Sequence, residues 1–279
     1  MSNRIVIEPG AKSKHYWIDI WNYRGLFYFL AWRDVLVRYK QTAIGIAWSV
    51  IKPLFTILVM WFIGWLFKSQ VPDGVPRVLL VSAATLPWQF FSGAFTDISN
   101  SLVGNSNLLS KVYFPRLIVP LSTMIVALID FLISFALLLI IMCLLHFMPD
   151  WRILLLPLFL LLAIIITIGT GLFIAALNVK YRDFRIVVPF IVQLGLYASP
   201  VAFSSDYIYT STRIPEFLKF IYSLNPMVGV IDGFRWCIIG NGSTIYFPGF
   251  ILSVIISFFF LIMGIWYFRK TEHSFADVI

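Results

Sequence analysis

Six apolar stretches of bilayer-crossing length constrain this chain more than any other feature. They cover residues 47–67, 78–98, 117–145, 153–177, 186–203 and 247–268. A hydrocarbon core of roughly 30 Å is crossed by about 20 apolar residues in helical form. Of the 279 residues, 60% are hydrophobic and only 12% carry charge. A soluble domain has about twice that charged fraction to cover its surface. The chain therefore reads as an all-α polytopic membrane protein, one transmembrane domain over 1–279. It has no internal repeat, low-complexity stretch or linker.

The runs are not equivalent. The first carries Lys52 and Pro53 near its start, where a helix's first turn and the interface tolerate both. The second holds Pro87, Gln89, Ser92 and Asp97, which predicts that it faces other helices or water rather than lipid. The third is long enough to tilt. A formal net charge of +8 would point to nucleic acid in a soluble protein. In a membrane protein, excess Lys and Arg mark the cytoplasmic side instead. With a cytoplasmic N-terminus, fifteen of the 21 basic residues fall inside. Lys68, Arg77, Arg152, Arg213, Lys219 and Arg235 fall outside. Both termini are thus expected in the cytoplasm, in agreement with an even number of spans. The first 45 residues are mixed and charged, so no cleavable signal is expected. Cys143 lies in an apolar run and Cys237 in what reads as a polar connection, so no disulfide is expected between them. Asn241-Gly242-Ser243 matches a glycosylation sequon, a pattern short enough to occur by accident.

Three segments outside the runs are informative. Over 24–41, Tyr28, Phe29, Trp32, Val35, Leu36 and Tyr39 fall on one side of a helix, while Arg33, Asp34, Arg38 and Gln41 supply polar groups elsewhere on it. This predicts a helix lying in the interface with its aromatic groups at headgroup depth. An ordinary soluble amphipathic helix is the plainer alternative. In 99–116, Gly104 to Asn107 is followed by Leu108, Leu109, Ser110, Lys111, Val112, Tyr113 and Phe114, then Pro115. A capping stretch leads into a short apolar-basic helix that ends before proline. Apolar side chains exposed on the cytoplasmic side would form a docking surface. In 204–246, Ile214–Leu224 and Pro226–Gly240 are apolar but too short to span. They predict re-entrant or membrane-lying helices that close the outer mouth, with Phe217, Ile221, Pro226 and Arg235 as gate candidates. A compact external lid is the competing reading.

The sequence contains no phosphate-binding loop, no dinucleotide-binding glycine turn and no nucleophile elbow. His15, His146 and His273 lie far apart, without ligand-spaced neighbours. Energy for work must come from a partner ATPase or an ion gradient. Asp130, near the middle of the third run, is a functional candidate by position. With no buried basic partner evident, a neutral or hydrogen-bonded packed acid is preferred. Aromatic residues make up 18% of the chain. Trp88, Phe90 and Phe91 lie in the polar second run, and Tyr197 lies beside Gln193 in the fifth. Aromatic faces stack on sugars and polar groups bond hydroxyls, so these residues are candidates for a polysaccharide conduit. Core packing is the equal alternative for each.

The blocks Arg33 to Thr42, Gly45 to Trp48, Lys52-Pro53-Leu54, Lys111 to Arg116, Tyr181-Arg182-Asp183, Ser199-Pro200-Val201, Asn225-Pro226-Met227 and Gly233 to Trp236 occur in this order. Together they resemble the type-two ABC exporter permeases that move O-antigen, capsular polysaccharide and teichoic acid. The resemblance implies a homodimer in the bacterial inner membrane, with two ATP-binding cassette subunits on its cytoplasmic face. ATP and magnesium would be bound by those subunits, and this chain would need no cofactor and bind no nucleic acid. It also implies an ATPase-coupling role for Asn107 to Phe114, an interface helix over 24–41 and outer re-entrant helices over 213–240. The cargo expected is an undecaprenyl-linked polysaccharide, with O-antigen foremost. A permease for a drug or small lipid is one alternative, and a membrane-embedded glycan-processing enzyme is another. The outer acids Asp150, Asp206, Glu216 and Asp232 offer no evident catalytic pair.

Overall fold

The computed structural model describes residues 16–40, 47–66, 71, 74–181, 183–211, 214–240, 243 and 245–275. Arg4, Lys12, Lys14, His15, Gln41 to Ile46, Lys68, Arg182, Arg213 and the first two sequon residues lie outside them. Twelve α-helices follow one another among the described residues. They are α1 (Tyr16–Asn22), α2 (Arg24–Lys40), α3 (Ala47–Leu66), α4 (Arg77–Gly104), α5 (Ser106–Lys111), α6 (Ile118–Leu144), α7 (Leu156–Lys180), α8 (Phe184–Ala198), α9 (Asp206–Thr210), α10 (Glu216–Ser223), α11 (Pro226–Ile239) and α12 (Phe247–Thr271). Short 3₁₀ turns precede α7 at Trp151–Leu155 and follow α12 at Glu272–Ser274.

Among the described residues, five helices are long and apolar enough to cross a membrane: α3, α4, α6, α7 with its leading turn, and α12 with its trailing turn. The fifth predicted run, 186–203, does not form one long helix. Its helix, α8, is 15 residues long and stops at Ala198. Pro200 biases Ser199 toward extended backbone, and Ser199 has ψ 152°.

The second run is the hub rather than a marginal span. In its most apolar window 78% of α4 is buried, against 17% for α3. α4 packs on α3, α6, α7, α8 and α11. Several of its polar side chains bond along its own axis. Ser82 Oγ donates to the Val78 carbonyl and Thr85 Oγ1 to the Val81 carbonyl, both at 2.7 Å. A hydroxyl that bonds its own preceding turn costs little in an apolar surround. The expectation that this run faces other helices therefore holds.

α7 and α12 form the most extensive helix pair. They approach backbone to backbone. A Cβ on Gly264 would stand 2.1 Å from the Gly169 carbonyl oxygen, and one on Gly169 would stand 2.5 Å from the Leu261 nitrogen. Small residues at such crossings let helices gain dispersion contact without a hydrophobic driving force between them. Both cysteines are free. Cys237, expected in a polar connection, is buried inside α11, because 226–239 is a packed helix.

Candidate functional site

The segment after α4 is built around Asn105. Its backbone N–H reaches the Ser101 and Leu102 carbonyls and closes α4. Its own carbonyl then accepts from the N–H groups of Leu108 and Leu109 and starts α5. The short helix α5 ends at Lys111, and Val112 turns extended ahead of Pro115. A six-residue helix is not stable by itself. It is held by Leu109 and Phe114, which are 5% and 4% exposed and belong to the protein's core. Those two were expected on the docking surface, and the structure corrects that. The outward face is Val112 at 51% and Tyr113 at 66% exposure, with Asn107 and Lys111 beside them. Leu108 is half-buried. A cleft of about 290 Å³ opens along 109–114 and Arg116.

The predicted aromatic face of α2 is exposed only over its first half, and Val35, Leu36 and Tyr39 are half-buried. Tyr28, Phe29 and Trp32 are exposed, while Leu30 and Ala31 are buried. The polar side turns inward. Arg33 Nη2 donates to Asn105 Oδ1 at 2.8 Å. Arg38 meets Asp97 of α4 at 3.2 Å and Asp130 of α6 at 2.7 Å. Tyr39 leaves the aromatic face to donate to Asp130 at 2.8 Å, and Ser49 of α3 donates to the same oxygen at 2.6 Å. Asp130 thus has the basic partner that the sequence did not reveal. That partner comes from a helix outside the predicted runs.

The conduit candidates divide. A groove of about 370 Å³ lies between α3, α4 and α8. Thr56, Trp88, Gln89, Ser92, Thr96 and Gln193 give it its polar and aromatic lining. Trp88 is largely buried, its ring edge directed at Gly195 of α8. Phe90 and Phe91 belong to the core instead. Phe90 meets Phe131 edge-on at 5.9 Å, and Phe91 stacks on Phe95 at 5.5 Å. Tyr197 is exposed on α8 but does not line the groove. Thr56, Gln89, Ser92 and Thr96 were not singled out as lining from the sequence. A polar row at three- and four-residue spacing on α4 was the available signal.

At the other end of the bundle, Asn225 caps α11 by accepting from the Met227 N–H at 3.0 Å, and its amide donates to Ser199 at 2.9 Å. Pro226 takes the first helical position, where its missing N–H does no harm. Phe217 and Ile221 on α10 are exposed. Arg235 is not an exposed gate cation. It is fully buried, and its guanidinium donates to the carbonyls of Leu80, Val201 and Phe203 at 3.3, 3.1 and 2.8 Å. It fastens α11 to the turn after α8, where Pro200 leaves carbonyls without helical partners. Tyr209 stacks on Tyr246 at 4.1 Å, and burial pushes its hydroxyl up to about 12. The four acids that the sequence placed on the outer side each have a local partner. Asp232 accepts from Ser205 at 2.6 Å, Asp206 from Ser204 at 3.0 Å, Asp150 meets Arg152 at 3.4 Å and Glu216 meets Lys219 at 2.8 Å. These pairings hold no two carboxylates together for acid–base work.

Residues 25–239 match the family described as ABC-2 type transporter. The chain is 28% identical over 259 residues to an O-antigen export system permease protein RfbA of Klebsiella pneumoniae, covering 88% of this chain and 92% of that one. It is 26% identical over 217 residues to the protein of the same name in Myxococcus xanthus, covering 78% and 81%.

Proposed function

We infer that this chain, which belongs to the ABC-2 type transporter family, is the membrane-spanning subunit of an ATP-driven exporter of lipid-linked O-antigen. The observation that carries this reading is similarity over nearly the full length to permeases named for O-antigen export. The chain is a transport subunit rather than an enzyme. It lacks a phosphate-binding loop, so ATP and magnesium belong to an ATP-binding cassette partner.

In this reading the chain sits in the inner membrane with both termini cytoplasmic, as the fifteen-to-six split of basic residues supports. α8, with the turn beyond it, serves as the sixth crossing. α10 and α11 re-enter the membrane from the outer side, and their apolar composition at sub-spanning length supports that role. The exposed aromatic row of α2 supports an interfacial position for that helix. Asn107, Lys111, Val112 and Tyr113 form the ATPase-docking face. The groove between α3, α4 and α8 is open on one side, and a second copy of the chain would complete it as a glycan conduit. Its hydroxyl and amide groups suit sugar hydroxyls, and Trp88 offers an aromatic ring.

Deleting the gene from its host tests the reading. Undecaprenyl-linked glycan should accumulate on the cytoplasmic side and surface O-antigen should disappear, both restored by the chain in trans. Normal surface O-antigen in the deletion strain would contradict it.

A further inference from the structure

The last described residues fold back onto the loop that follows α5. The Arg116 N–H donates to the Glu272 carboxylate at 2.9 Å, and the Arg116 guanidinium donates to the Glu272 carbonyl oxygen. Arg116 is the donor in both bonds and Glu272 the acceptor: one uses the backbone of residue 116 and the side chain of residue 272, the other the side chain of residue 116 and the backbone of residue 272. The guanidinium also lies 5.9 Å from the centre of the Phe275 ring. Phe275 is buried and meets Phe268 of α12 edge-on at 5.4 Å. On the far side, Arg269 stands 4.5 Å over the ring of Tyr16 in α1. Two other chain segments therefore converge on residues 268–275.

Arg116 is three residues beyond Tyr113, and the intervening Phe114 and Pro115 are buried. A push on the exposed Val112–Tyr113 face has little slack before it reaches Arg116. From there the chain of contacts is continuous: Glu272 closes the end of α12, α12 packs along α7 through Gly264, and its far end carries α10 and α11. Coupling between distant sites travels through packed elements of this kind when they move as units.

We propose that residues 268–275 form a clasp that ties the docking loop to α12, so that displacement of the loop by the ATP-binding subunit is delivered to α12. Glu272 and Arg116 are positioning residues for the transport cycle. The proposal rests on the docking role inferred for Val112 and Tyr113. The family match ends at residue 239, so the clasp lies beyond it while the Arg116 it holds lies within it.

The test uses the full chain with its ATP-binding subunit in proteoliposomes loaded with lipid-linked glycan. Glu272→Ala removes the acceptor for the Arg116 N–H, whereas Glu272→Gln keeps an oxygen there. Glu272→Ala should retain the ATP-binding subunit and continue to hydrolyse ATP. Glycan exported per ATP should nevertheless fall by about tenfold, the loss of one hydrogen bond to a charged group. Glu272→Gln should restore most of it. Wild-type export per ATP in Glu272→Ala overturns the clasp. Tyr113→Asp is run in parallel: if it keeps the subunit bound, the docking role fails, separately from the clasp.

Discussion

Asp130, midway along α6, is paired at 2.7 Å with Arg38, which arrives from α2. The carboxylate also accepts from Tyr39 and Ser49, so α2 and α3 are pinned to α6 by one group. An acid at this depth is costly unless it is paired and bonded. Here its partners account for it as an anchor. Asp130→Ala removes three hydrogen bonds to a charged acceptor, each worth about 1.5–3 kcal/mol where buried and less at this half-buried node. Thermal unfolding of the detergent-purified chain should show Asp130→Ala and Arg38→Ala each clearly destabilised. The double variant should be little worse than either single one. Additive losses would contradict the pairing.

Tyr113 and Phe114 are neighbours with opposite environments, and their Asp variants should fail differently. Burying one aromatic anchor contributes roughly 1.5–3 kcal/mol, so Tyr113→Asp should weaken retention of the ATP-binding subunit by about one to two powers of ten. The chain itself should insert normally. Phe114→Asp places a charge in the core and should lower the amount of folded chain in the membrane. Copurification and membrane abundance measured together distinguish the two. Equal behaviour of both variants would refute the assignment of faces.

The α7–α12 crossing predicts a sharp size limit at Gly264. A Cβ there meets the Gly169 carbonyl at 2.1 Å, and backbone cannot rotate out of the way. Gly264→Ala should destabilise the chain by about 1–3 kcal/mol, the usual cost of overpacking. A thermal midpoint equal to that of the parent chain would show that the helices part freely.

Orientation is checked by reporter fusions. Fusions after Gly74 and after Ser243 should report the outer compartment, and one after Lys111 the cytoplasm. A cytoplasmic signal from either of the first two would reverse the topology.

Length and hydropathy made the helical spans legible, and the polar content of 78–98 correctly marked it as facing other helices. On α2, periodicity marked Tyr28, Phe29 and Trp32 as exposed but not the inward turn of Tyr39. What could not be read were contacts that depend on tertiary register. Arg38 lies 92 residues from Asp130, and no local pattern joins them. The periodicity that exposes Tyr113 does not say that Phe114 turns inward, because α5 ends at Lys111 and the side chains beyond it no longer follow helical spacing. Arg235 reads as an outer cation until the carbonyls freed beside Pro200 are seen around it. The break of the fifth run was written in Ser199-Pro200, a local signal outweighed by the hydropathy on either side.

The most direct test of the central claim is transport itself. Inverted proteoliposomes containing the chain and its ATP-binding subunit are supplied with lipid-linked O-antigen, and glycan protected inside the lumen is measured. Protection should require ATP and both subunits, and the chain alone should neither hydrolyse ATP nor protect glycan. Equal protection without ATP, or ATP hydrolysis by the isolated chain, would contradict the account.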